Sequence, residues 1–190
     1  MSIEDVKQST FAPGPVHSDE TLLRVVFAPE HIDSQGNLLP AAIPTADLAL
    51  RGFSVHRKQH VRKKTILDQI KKYISKIEGR SCKGIGPIEC AIIRSCKDTK
   101  SDQAFIVIDD ALTKENYAHA KVMFKNKHSP AKMKGLRNRL KGEFKIILAV
   151  DKVVNNLPSE FIIFRVKRYI TNNISAIKRW YFSLKHRDQG

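Results

Sequence analysis

Long apolar runs are missing from this 190-residue chain. Its unbroken apolar stretches, Phe161–Phe164 among them, fall far short of the roughly 20 residues that a membrane-spanning helix requires. The N-terminus, MSIEDVKQST, has neither the basic start nor the apolar core of a secretory signal peptide. Membrane insertion and secretion are therefore not expected, and the expected location is the cytoplasm. Cysteine is scarce as well. Cys82, Cys90 and Cys96 form an odd-numbered set with the spacing C-x7-C-x5-C and no intervening histidine, which fits free thiols better than disulfides or a zinc site. No metal and no cofactor are expected. Acidic residues are outnumbered, 19 against 34 Lys and Arg, so the net charge is +15 and the pI is near 9.9. With 42% apolar residues the chain can still build a core.

The charge is unevenly spread. Residues 1–50 hold 2 basic and 7 acidic groups and residues 81–120 hold 5 and 6, whereas residues 51–80 hold 10 and 2 and residues 121–190 hold 17 and 4. Two blocks thus carry the whole excess. A nucleic acid, DNA or RNA, is the polyanion that best repays such a surface, through release of its counterions. An acidic protein partner would use the same charges.

Along the chain, residues 1–21 contain FAPGPVHSDE and read as a flexible leader. Leu22–Phe27 reads as a first strand. A long loop over residues 28–47 follows, with a turn at Ser34-Gln35-Gly36-Asn37, and Phe53-Ser54-Val55 is a short extended segment. The steps among Ile66, Leu67, Ile70, Tyr73, Ile74 and Ile77 predict one amphipathic helix over residues 58–78, with lysines off the apolar stripe. Gly84-Ile85-Gly86-Pro87 reads as a turn, and residues 88–94 and 104–109 as the two strands of a hairpin, with Cys90 and Cys96 expected to belong to a strand as small hydrophobes. Residues 118–124 form a further candidate strand. Ser129-Pro130 is a helix cap followed by a first-turn proline, and Met133, Leu136, Leu140, Phe144 and Ile147 continue at helical spacing. Asn155–Pro158 breaks that helix. Beyond it Ile163, Val166, Ile170, Ile174, Ile177, Tyr181 and Leu184 step by 3, 4, 4, 3, 4, 3, so two consecutive amphipathic helices form an expected hairpin.

Several constellations could carry chemistry. His56 and His60 stand four apart near a helix start, where two imidazoles could contact a phosphate or act as acid and base on RNA; the arginines and lysines around them disfavour a metal. Arg51 to His56 has the form R-x4-H and Arg179 to His186 the form R-x6-H. These spacings are similar to the ribonuclease motif of the small all-helical HEPN domains, although the strands expected here do not suit an all-helical fold. Arg24 on a first strand, followed by the Ser-bearing segment Phe53-Ser54-Val55, resembles the ADP-ribosyltransferases. That resemblance implies an Arg24 that orients cofactor phosphates, a Ser54 that supports a nicotinamide pocket, and a late catalytic Glu, for which Glu115 in Lys114-Glu115-Asn116-Tyr117 is the candidate. Asp109-Asp110 ends a hydrophobic strand and, with Glu89, could hold magnesium, although such a pair is more often a turn former. No P-loop, serine-hydrolase elbow, H-E-x-x-H or dinucleotide fingerprint is present.

The expected fold is α+β: a small, mostly antiparallel sheet with one helix after the first strand and a C-terminal helical hairpin. The leader is residues 1–21, the core domain 22–128, and a basic helical hairpin packed on the core 129–190. The expected function is nucleic-acid binding, mainly through backbone phosphates and as a subunit of a larger, bacterial-type assembly. The residues expected to carry it are Arg57, Lys58, Arg62, Lys63, Lys64, Lys71 and Lys72 in the first basic block, and Arg137, Arg139, Lys167, Arg168, Lys178 and Arg179 in the second. The alternatives are an enzyme, either a toxin-like ribonuclease or a transferase, with Arg24, Ser54, His56, His60 and His119 as catalytic candidates, and a protein-interaction subunit that docks its partner through the C-terminal helix.

Overall fold

A computed structural model describes residues 13–111 and 116–158. Up to Leu157 these form one compact α+β unit around a five-stranded sheet. The strands are β1 (Thr21–Ala28), β2 (Phe53–Arg57), β3 (Ser81–Glu89), β4 (Phe105–Asp109) and β5 (His119–Phe124), in the order β3-β1-β2-β5-β4 with every pairing antiparallel. The helices are α1 (Lys63–Ile74), α2 (Cys90–Ser95), α3 (Pro130–Glu143) and α4 (Val150–Val154).

Both faces of the sheet are covered, so its central strands read as nearly continuous apolar sequence. Leu23, Val25 and Phe27 of β1 face Ile66 and Ile70 of α1 and Val153 and Val154 of α4. Out of step with them, Leu22 joins Phe53, Val55, Val107 and Val122 beneath Leu136 and Leu140 of α3. Each such side chain contributes about 1.5–3 kcal/mol on full burial. Strand alternation then fixes which side the polar residues of β2 take: Ser54 and His56 share the α1 face, while Arg57 shares the face of Phe53 and Val55.

Four strands lie where the sequence places them, and several other elements differ. A 3-10 turn at Pro40–Ala42 and a π-helical turn at Asp47–Arg51 lead from β1 into β2, and α1 follows that strand. The segment Gly84–Pro87 is not a turn but the middle of β3, paired with Val26 through Leu23. Its glycines answer a close approach: Ile85 and Leu148 exchange both backbone hydrogen bonds at 2.9 Å, and a Cβ on Gly84 would lie 2.4 Å from the Leu148 carbonyl oxygen. The expected hairpin over 88–109 does not form. Residues 90–95 are helical, with Cys90 and Ile93 buried one turn apart, and β3 and β4 occupy opposite edges of the sheet. Packing here overrides the strand preference of the β-branched pair Ile92-Ile93.

Helix α1 is shorter than the expected 58–78. Residues 57–61 are tied into turns by the His60 and Val61 amides donating to the Arg57 carbonyl, and Tyr73, Ile74 and Ile77 at the far end are exposed. Ser129 caps α3 by accepting from the Lys132 amide, with Pro130 in the first turn. That helix stops at Glu143, because residues 145–149 turn away to bridge β3. The expected leader is bound to the core where it is described: Gly14 and Pro15 carbonyls accept from Arg57, and Val16 and Glu20 are buried. The second helix of the expected C-terminal hairpin lies outside the described residues. Among the described residues no helix is long and apolar enough to cross a membrane.

Candidate functional site

Strands β1 and β2 pair only at Leu22 with Arg57 and Leu23 with His56. Beyond that point they part: β1 continues along β3, and β2 continues along β5. The wedge between them, closed by α1 and the loop over residues 28–52, holds a cleft of about 230 Å³. Its lining brings Arg24, Ser54 and His56, three of the five catalytic candidates, to one place. It adds five polar residues that the sequence did not single out as candidates: His31, Asp47, Gln69, Tyr73 and Arg80. The spacing of four between Gln69 and Tyr73 puts both on one helix face, and that is the local signal which could have flagged them.

Arg24 donates from Nη1 to the Ser54 carbonyl at 3.1 Å, and its guanidinium lies 4.6 Å from the centre of the Phe53 ring. It has no carboxylate partner among the described residues. The residue is half-buried, but its Nε is sealed from solvent without a hydrogen bond. Burial lowers its pKa to about 10, against the opposing pull of Tyr73 and Asp47, so it is still a cation at neutral pH. His56 donates from Nε2 to Gln69 Oε1 at 2.6 Å, which leaves its buried Nδ1 as an acceptor with no partner. Burial drives its pKa down to about 4, with the Gln69 bond opposing and His119 and Arg24 adding to the shift. His31 accepts the Phe27 amide on Nδ1, and burial first and Arg24 second lower it to about 4. Both imidazoles are neutral at pH 7. Arg80 is engaged by Glu30 through two nitrogens and donates Nη1 to the Tyr73 carbonyl.

His119 sits behind His56, ring centres 6.0 Å apart, and donates Nδ1–H to the carbonyl and carboxylate of Asp110. It is buried and does not line the cleft. His60 lies elsewhere, 4.0 Å from Glu20. His56 and His60 therefore do not form an acid–base pair: the first points to α1 from β2, and the second sits in the turn after the strand, beside the cluster on the opposite face.

That cluster is built on Arg57, the largest fully buried side chain described. All five of its donors are used. Nε and Nη2 grip Glu20, Nη1 reaches Asp109 at 2.8 Å, and the Gly14 and Pro15 carbonyls take the rest. Burial raises the Glu20 carboxyl, but the Arg57 bonds and the His17 amide outweigh it and its pKa is lowered. For Asp109 burial prevails over the Ala111 amide and Arg57, and its pKa is raised. Asp109 and Asp110 thus serve different partners, with Asp110 also holding Lys121 at 3.0 Å, and Glu89 stands on the far edge strand. They form no magnesium site. Among the described residues no group of three or more His, Cys, Asp or Glu is placed to hold a metal.

The expected nucleic-acid residues divide sharply. Arg57 is a core residue rather than a phosphate contact, and Arg137, also buried, donates to the Pro40 carbonyl and Asn138. Lys58 and Arg62 are half-buried, Arg62 lying 5.4 Å from the Tyr117 ring centre. Lys63, Lys64, Lys71, Lys72 and Arg139 are exposed; Lys63 donates to Asn155 and Arg139 to the Lys97 carbonyl. Lys167, Arg168, Lys178, Arg179 and the candidate Glu115 lie outside the described residues. No protein-family model, curated protein or solved structure matches this chain.

Proposed function

We propose that this protein binds nucleic acid through phosphate contacts made largely by the outer face of α1, with little reading of base sequence. The observation that carries this reading is the division of labour on that helix. Ile66 and Ile70 take the core side, while Lys63, Lys64, Lys71 and Lys72 stand in solvent with no carboxylate bound to any of them among the described residues. Four cations left unneutralised along a 12-residue helix repel one another, and a strand of phosphates relieves that repulsion while releasing its own counterions. Such contacts fix position and supply affinity but carry no sequence information.

The experiment is fluorescence anisotropy of labelled duplex and single strands at low salt, with the wild type and with Lys63, Lys64, Lys71 and Lys72 all replaced by Ala. The wild type is expected to bind both and the variant to bind far more weakly, with thermal melting little changed because these side chains pack against nothing in the core. No binding by the wild type at low salt ends this reading. Undiminished binding by the variant removes α1 from it.

A further inference from the structure

We propose that the wedge between β1 and β2 is a binding site for a phosphoryl group, anchored by Arg24 and carried either by a free mononucleotide or by the end of a nucleic-acid strand. The inference stands apart from the lysine face of α1, and it begins from two arginines in one sheet. Arg57, shut inside, is matched by two carboxylates and two carbonyls, so that no donor is idle. Arg24, on the neighbouring strand, has one carbonyl, an aromatic face and a sealed, unbonded Nε. Desolvating a cation without a counter-charge is costly, and a fold that neutralises one arginine so fully leaves the other open only toward the cleft. The one acid in the cleft lining, Asp47, makes its ion pair with Arg51 at 2.6 Å and acts on Arg24 only from a distance. The missing partner of Arg24 is therefore an anion that enters from outside.

The rest of the lining specifies which anion. The Gln69 amide, the Tyr73 hydroxyl and the ring proton of His31, whose Nδ1 is already an acceptor, supply neutral donors from a helix and a loop around the strand-borne guanidinium. Donors converging from three elements suit the three outer oxygens of a phosphoryl group better than the two of a carboxylate, and arginine's fork matches them in geometry. His56 adds the complementary feature. Only 4% exposed, it lines the cleft and keeps a buried acceptor nitrogen without a partner, which a hydroxyl on the phosphate or the attached sugar would satisfy. At about 230 Å³ the cleft is below the roughly 300–1,000 Å³ of pockets that engulf drug-sized ligands. It takes a phosphate with its adjoining sugar, leaving the remainder of the molecule outside.

Isothermal titration with inorganic phosphate, with a nucleoside 5′-monophosphate, and with the unphosphorylated nucleoside tests the site. Phosphate and the monophosphate are expected to bind and the nucleoside not to, with Arg24→Gln weakening binding about ten- to hundredfold while the quadruple lysine variant of α1 keeps it. A 5′-phosphorylated oligonucleotide compared with its 5′-hydroxyl twin separates the sources: a preference for the phosphorylated strand that Arg24→Gln abolishes assigns the strand end, and equal binding of the two strands assigns the free nucleotide. Arg24→Met is expected to melt no lower than the wild type in phosphate-free buffer, since it removes an unneutralised charge. A wild type that binds neither phosphate nor the monophosphate, an Arg24→Gln variant that binds them undiminished, or an Arg24→Met variant that melts well below the wild type each overturns the proposal.

Discussion

A charged side chain in this protein is defined by what surrounds it rather than by its place in a basic stretch. Arg57 lies between His56 and Lys58 in sequence, yet it ties the N-terminal segment, β2 and the end of β4 into one knot. Arg57→Met would leave Glu20 and Asp109 buried without their cation, and it is expected to lower stability by about 3–5 kcal/mol, measured by chemical denaturation. A loss of under about 1 kcal/mol would mean that water reaches these carboxylates. The two cleft histidines set a pH dependence. Both have folded pKa values near 4, below the unfolded value near 6.5, so between those limits the unfolded chain takes up protons that the folded chain refuses. Stability is then complete above about pH 6.5 and falls as pH drops toward 4, by up to about 3 kcal/mol for buried His56 and by less for half-exposed His31, where solvent screens the charge. Denaturation midpoints of the wild type and His56→Gln at pH 7 and pH 4.5 check this: the variant's decline should be the shallower, and parallel declines would contradict it.

At the scale of elements, β3 is held on one side by β1 and on the other by the segment that follows α3. The latter comes so close that position 84 admits no side chain, and its φ of +153° is itself poorly open to other residues. Gly84→Ala is expected to cost at least about 2 kcal/mol. Gly135→Ala, in the middle of α3 with nothing within 4 Å of the new methyl, is expected to gain about 0.5–1 kcal/mol from helix propensity alone. Thermal melts of the two single variants decide it, and a neutral Gly84→Ala would mean that the Ile85–Leu148 bridge is dispensable.

For the whole molecule the +15 charge governs encounters more than folding. If phosphate contacts supply the affinity, the logarithm of the binding constant for duplex DNA falls linearly with the logarithm of salt, by about 0.9 per contact. Replacing the four α1 lysines should flatten that slope by up to about 3–4, whereas Arg24→Gln should leave it almost unchanged on a strand with 5′-hydroxyl ends. Anisotropy titrations between low and moderate salt measure both slopes, and an identical slope in the lysine variant would place the contacts elsewhere on the molecule.

The sequence by itself determined the α+β class, the positions of β1, β2, β4 and β5, and the capped start of α3, because period, β-branching and a Ser-Pro cap are local signals that the backbone obeys wherever the chain goes. It also singled out Arg24, Ser54 and His56. It misread β3, since Gly84, Gly86 and Pro87 signal a turn to anything that sees only neighbours; the reason for those glycines is a segment some sixty residues away, at Leu148. It could not separate Arg57 from Lys64, because the partners that bury Arg57 stand 37 and 52 residues distant. Nor could it draw the wedge, which exists because β1 takes β3 as its long partner and β2 takes β5. Strand pairing is settled by the summed burial on both faces of the sheet, a property of the assembled chain, and with it came the cleft lined by Arg24 and the core that seals Arg57 away.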